Sequence, residues 1–86
     1  MKNDKHNVQI LKALANLNRL KIVTLLNEHE LSVGQLEKMV DLSQSALSQH
    51  LAVLRKSYIV KTRRIAQTIY YKLDNNLVGQ ILKLLE

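Results

Sequence analysis

The chain has no cysteine, proline, phenylalanine or tryptophan, and only two glycines in 86 residues. Without cysteine, disulfides, thiolate metal sites and cysteine redox switches are excluded. The three histidines, His6, His29 and His50, have no ligand-like spacing, so neither a metal nor a cofactor is expected. No apolar run approaches the roughly 18 residues needed to span a bilayer. The opening "MKNDKHNVQI" lacks the apolar stretch of a signal peptide, so a cytoplasmic protein without a membrane partner is expected. No internal repeat and no Pro/Gly/Ser linker interrupts the chain, and residues 1–86 read as one small domain. There are no paired carboxylates in one motif, no Ser/His/Asp arrangement and no glycine-rich phosphate loop. The sequence does not read as an enzyme.

With 47% hydrophobic residues and no low-complexity run, the chain is not expected to be disordered. A domain this small buries only about 60% of the surface its unfolded chain exposes. With disulfides and metals excluded, a partner subunit is the remaining source of extra stability.

A second absence is local. Between Asp41 and Asp74 there is no acidic residue, while Arg55, Lys56, Lys61, Arg63, Arg64 and Lys72 all fall there. The other seven Lys/Arg are matched by the seven Asp/Glu, so the whole net charge of +6 lies in residues 42–73. Such a stretch reads as a polyanion-facing surface rather than an ordinary solvated face.

Hydrophobic spacing orders the elements. Residues 7–17 carry Val8, Ile10, Leu11, Leu14, Ala15 and Leu17 at helical intervals. "NRLKIVTLLNE" continues as a second helix, with Asn18 as N-cap, Leu20, Ile22, Val23 and Leu26 inward, and an end near residues 28–30. "SVGQLEKMV" opens on a capping box, Ser32 with Gln35, and offers Leu36, Met39 and Val40 to the core. "DLS" is a tight break in which Asp41 tolerates left-handed backbone and Ser43 caps the next helix. That helix carries one stripe, Leu47, Leu51 and Leu54. Two short helices joined by three residues make a helix-turn-helix. "IVKTRR" and "TIYYKL" then alternate two by two around a short "IAQ" turn, with Ile69, Tyr71 and Leu73 on one face and Thr68, Tyr70 and Lys72 on the other. "NNLVGQILKLLE" closes the chain as a helix with Leu77, Ile81, Leu84 and Leu85 on one side; Gly79 weakens it by about 1 kcal/mol. The fold class is therefore mainly α with a small β-hairpin (α-α-α-α-β-β-α), a winged helix-turn-helix.

"LSQSALSQHLAVLR" carries the function. Opposite the leucine stripe lie Ser45, Ser48, Gln49 and Ala52, with Gln44 at the helix start: a flat face of donors and acceptors without a carboxylate. It can enter a major groove about 12 Å wide, where Gln pairs with adenine and Ser serves base edges or phosphate. The helix N-terminus favours a phosphate. Ser43 reads as a cap, and His50 as a half-buried residue at the edge of the stripe within reach of DNA. Lys61, Arg63, Arg64 and Gln67 on the hairpin grip the backbone, with Arg63 and Arg64 near the tip. Tyr70 and Tyr71 read as packing residues, and His6 and His29 as solvated.

"LKALANLNRLKIVTLL", "LSQSALSQHLAVLR" and "VKTRRIAQTIYYKL" together resemble the ArsR/SmtB family of bacterial winged-helix repressors over about residues 8–85. "ELSVGQL" and "SQSALSQHLA" look most similar to its HlyU-like subgroup, whose members regulate virulence or sulfur-stress genes. The resemblance implies a homodimer formed through the first and last helices, acting as a transcription regulator on a palindromic operator. The helix from Ser43 would read the major groove and the hairpin around Arg63 to Gln67 the backbone or minor groove. Metalloid sensors of the family have thiolates where this chain has Ser32 and Gly34. Zinc and nickel sensors carry histidine on the last helix, absent here, and redox members a cysteine where Thr24 stands. A regulator responding to neither metals nor thiols is implied. Asp41 and Tyr58 stand where many relatives have glycine. A left-handed Tyr58 is strained, so the recognition helix is expected to end differently from the family pattern. A winged helix that has lost DNA readout, serving protein interaction or architecture with only non-specific DNA binding, is the competing expectation.

Overall fold

A computed structural model describes residues 4–86. Five helices and a three-stranded antiparallel sheet follow in the order α1 (Asp4–Leu14), α2 (Leu17–Glu28), β1 (Leu31–Ser32), α3 (Val33–Met39), α4 (Gln44–Lys56), β2 (Val60–Ile65), β3 (Thr68–Leu73) and α5 (Asn76–Leu85). The sequence-predicted helices and hairpin are all present. The sheet order is β1-β3-β2, so the central strand is the last in sequence. β1 escapes a periodicity reading because two residues show no period. It ties the hairpin to the body through Leu31 opposite Tyr71 and Ser32 opposite Tyr70.

The core is aliphatic. Ile22, Val23, Leu36, Leu47, Leu54, Ile59 and Val78 are fully buried, joined by Ile10, Leu14, Leu26, Leu51, Val60 and Leu82. The leucine stripe of α4 therefore packs as read from the sequence. Two other stripes divide. On α5 the buried residues are Val78 and Leu82, while Leu77, Leu84 and Leu85 are exposed, Leu84 by 83%. On α1, Ile10, Ala13 and Leu14 are buried, but Val8 and Leu11 are exposed. Both helices are apolar on more than one side, and spacing alone does not say which side meets the core. Met39 is likewise 52% exposed instead of buried.

The caps explain several boundaries. Asn16, not Asn18, caps α2: its Oδ1 accepts from the amides of Asn18 and Arg19 at 3.0 and 3.1 Å. The first helix accordingly stops at Leu14, short of residue 17. The Ser32–Gln35 capping box forms as read, and Ser43 Oγ accepts from the Ala46 amide. Among the described non-glycine residues only Tyr58 and Ala66 have positive φ, so the turn at Asp41 is made without left-handed backbone.

Tyr58, at φ 60, overturns the expectation of a different helix end. The Ile59 amide donates to the Leu54 carbonyl and the Tyr58 amide to that of Arg55, the paired bonds of a Schellman ending. The apolar residue that commonly accompanies this ending is Ile59, fully buried with Leu54 in the core. Its burial holds Tyr58 in a conformation glycine would adopt at less cost. Asn75 Nδ2 donates to the Tyr58 carbonyl, and the His6 ring lies 5.8 Å from the tyrosine ring. His6 is thus in contact rather than simply solvated.

Arg19 fastens α4 to the rest. Its Nε donates to the Ala13 carbonyl at 2.7 Å and one terminal nitrogen to that of Lys12 at 3.4 Å, covering the free end of α1. The other terminal nitrogen lies 3.3 Å from His50 Nδ1 on α4. Because lysine gathers its donors on a single nitrogen that cannot reach all three acceptors as the arginine fork does, Arg19→Lys is expected to cost about 1–2 kcal/mol in urea unfolding. An unchanged midpoint would remove this junction from the account.

The hairpin turn is Ala66-Gln67, two residues rather than the three of "IAQ", with Ile65 opposite Thr68. Positive φ at the first of two central residues, 55° at Ala66, is the II′ pattern that favours glycine there. Ala66 is exposed, so Ala66→Gly removes the backbone cost without losing packing. It is expected to stabilise the protein by about 0.5–1 kcal/mol; a lower thermal midpoint would contradict the assignment of strain to this turn.

Candidate nucleic-acid interface

The burial of Leu47, Leu51 and Leu54 decides where the rest of α4 points. Gln44, Ser45, Ser48, Gln49 and Ala52 are exposed on the outer side of the helix, and the structure brings them together as one face. Arg55 and Lys56 continue it in the last turn, where cations also suit the negative end of the helix dipole. His50 is half-buried at the edge, as read from the sequence. Since the Arg19 guanidinium can only donate, a hydrogen bond between the two has His50 Nδ1 as its acceptor.

The hairpin stands beside this face. Strand residues alternate sides, and the register pairs Val60 with Leu73, Thr62 with Tyr71 and Arg64 with Ile69 on one face. That face is the one rooted in the core, through buried Val60 and the packed Tyr71 and Leu73. Between it and α4 lies an open hollow of about 410 Å³ lined by Ser48, Ala52, Arg55, Lys56, Tyr58 and Tyr71. The outer side of α4, the hollow and the Arg64 face of the hairpin form one continuous surface.

The other hairpin face carries Lys61, Arg63, Tyr70 and Lys72. Two residues read from the sequence as DNA contacts, Lys61 and Arg63, lie on this face and are engaged in ion pairs. Arg63 lies three residues before the turn, and its guanidinium makes a two-pronged bond to Glu30, Nε to Oε2 and Nη2 to Oε1, each 2.7 Å. That paired hydrogen bond is the largest influence; against the opposing effect of burial, and helped by the Arg63 and Lys72 charges, it holds the Glu30 carboxyl below its ordinary value of 4.5. The same bond raises the Arg63 guanidinium. The pair is therefore intact at neutral pH and is lost only as acidity protonates Glu30, below its usual range. Lys61 Nζ meets Asp74 Oδ2 at 3.0 Å. Both carboxylates lie outside the acid-free stretch 42–73, so a count along the sequence could not find these pairs. Among the described residues Arg55, Lys56, Arg64 and Lys72 make no ion pair, and Gln67 is exposed at the turn. Sequence reasoning had not singled out Glu30; its place just before a strand too short to be read hid it.

Residues 16–62 match the family model described as bacterial regulatory protein, arsR family. The chain is 50% identical over 84 residues to the transcriptional activator HlyU of Vibrio cholerae, covering 98% of this chain and 78% of that one. It superposes on the solved structure of that HlyU with TM-score 0.91, over 98% of this chain and 91% of the other. The transcriptional repressor BigR of Xylella fastidiosa is 40% identical with TM-score 0.89, over 98% and 86% of the two chains. The repressor PagR of Bacillus anthracis is 37% identical with TM-score 0.90, over 99% and 98%. A helix-turn-helix with a polar outer face, a wing beside it and this likeness along nearly the whole chain lead to one conclusion: the protein belongs to the ArsR family of bacterial DNA-binding transcription regulators and is not an enzyme.

Proposed function

We propose that the 86 residues act as a single DNA-binding domain in a homodimer that recognises a palindromic operator in double-stranded DNA. The carrying observation is the carboxylate-free outer face of α4, continuous with Arg55, Lys56 and Arg64. Gln44, Ser45, Ser48 and Gln49 read base edges in the major groove, with His50 at the margin of that face. Arg64 and Gln67 meet the backbone or minor groove. The dimer forms through α1 and α5, where exposed Val8, Leu11, Leu77, Leu84 and Leu85 make an apolar surface of the kind a partner covers. Its symmetry places half-sites about one turn, 10 to 10.5 base pairs, apart. The protein works in the cytoplasm on the nucleoid. It answers to neither metals nor thiols: it has no cysteine, and among the described residues no group of three His, Cys, Asp or Glu is placed to hold a metal.

Sequencing the DNA bound from a pool of genomic fragments, then titrating the winner and its scramble at two salt concentrations, tests this reading. A palindromic winner bound tighter than scramble by about 10³ or more is expected. Equal, steeply salt-dependent binding to both would favour the architectural alternative. Gln49→Ala is expected to remove about 1–3 kcal/mol of preference for the winner; unchanged discrimination would exclude Gln49 as a reading residue.

A further inference from the structure

Arg63 and Arg64 are neighbours in sequence and opposites in space. Arg64 shares the face that turns to α4, whereas Arg63 lies on the reverse, directly across from Tyr70. Its guanidinium carbon sits 5.7 Å from the centre of the Tyr70 ring, and its two-pronged edge is on Glu30. Glu30 immediately precedes β1, so the contact runs from the β1 edge of the sheet, over β3, to β2 at the other edge. β1 itself contributes only two residues of pairing to the hairpin. A two-stranded hairpin is marginal alone, and this one extends beyond the core, with Arg63, Arg64 and Ile65 all exposed. A bidentate, charge-assisted bond across the sheet is well placed to set its angle. For Arg63 to meet a phosphate it would have to leave a carboxylate it already grips with two donors.

We infer that Arg63 is a positioning residue: together with Glu30 and the Tyr70 ring it braces the wing against the body, so that Arg64 on the opposite face meets the DNA backbone. The brace is a property of the free protein, while the consequence for DNA rests on the proposed reading of α4 and the wing.

Charge makes the test decisive in sign. Glu30→Gln raises the net charge by one, and electrostatics alone would tighten DNA binding. The brace requires the opposite: Glu30→Gln and Arg63→Ala each weaken operator binding by roughly two- to fivefold, and the double variant is no worse than either single one. Arg63→Ala leaves the dependence of log affinity on log salt near wild type, whereas Arg64→Ala lowers that slope by about 1. The charge-swapped pair, Glu30→Arg with Arg63→Glu, restores affinity. Hydrogen exchange on the DNA-free protein reads the brace independently: β2 and β3 amides exchange faster in Glu30→Gln and Arg63→Ala, but not in Arg64→Ala. Tighter binding by Glu30→Gln, or a slope lowered by about 1 in Arg63→Ala with unchanged wing exchange, would make Arg63 a DNA contact and overturn the inference. If wing exchange changes as stated but no variant, Arg64→Ala included, alters DNA binding, the DNA-contact reading fails and the brace stands as a purely structural device.

Discussion

The seating of α4 governs the rest of the molecule. Leu47, Leu51 and Leu54 are at most 2% exposed, and a helix buried along one stripe has no freedom about its own axis. Turning α4 would place Ser48 or Gln49 in an aliphatic core with no partner for their polar groups, at a cost of several kcal/mol. The polar face must therefore point outward. Two further contacts hold the helix at its ends and flank: Ser43 caps its start, and Arg19 ties His50 to the end of α1. Since α1 also bears part of the exposed apolar surface, the helix proposed for dimer contact and the helix proposed for DNA contact share one arginine.

The second organising feature is the partition of charge by strand alternation. The acid-free stretch holds six cations. Folding sends Lys61, Arg63 and Lys72 to the back of the wing and leaves Arg55, Lys56 and Arg64 beside the outer face of α4. Glu30 and Asp74, both from outside the stretch, meet two of the three cations on the back. The charge excess seen along the sequence is thus sharpened in space: compensated in part on the reverse of the wing and uncompensated on the side proposed to meet DNA. The backbone follows the same economy. The wing turn and the end of α4 both use left-handed residues, Ala66 and Tyr58, at positions that glycine would occupy with less strain. At Tyr58 the strain is offset by the burial of Ile59.

Much of this was legible in the sequence because it is local and periodic. The leucine stripe of α4, the Ser32–Gln35 capping box, the Ser43 cap and the alternation in the hairpin each lie within a few residues and have a fixed spacing. What escaped depended on distance or on a second side. A two-residue strand has no period. Glu30 and Arg63 are 33 residues apart, and their pairing follows from the sheet order rather than from either neighbourhood. The apolar residues of α1 and α5 divide between core and exterior, a division that spacing could not make. Asn16 and Asn18 are equally good caps by composition, and the three-dimensional break between α1 and α2 chooses the former. At Tyr58 the local rule against a left-handed tyrosine fails because the buried residue after it outweighs the backbone cost.

The central claim is that one continuous surface, the outer side of α4 with the Arg64 face of the wing, is where DNA sits. An amide NMR titration of the protein with its selected duplex addresses this most directly. The account predicts that the largest shift changes fall on residues 44–49, on Arg64 and on the Ala66-Gln67 turn, while α3 and the exposed flank of α2 stay near their free positions. Changes concentrated on the Glu30, Lys61 and Lys72 side of the wing, with residues 44–49 unmoved, would contradict it.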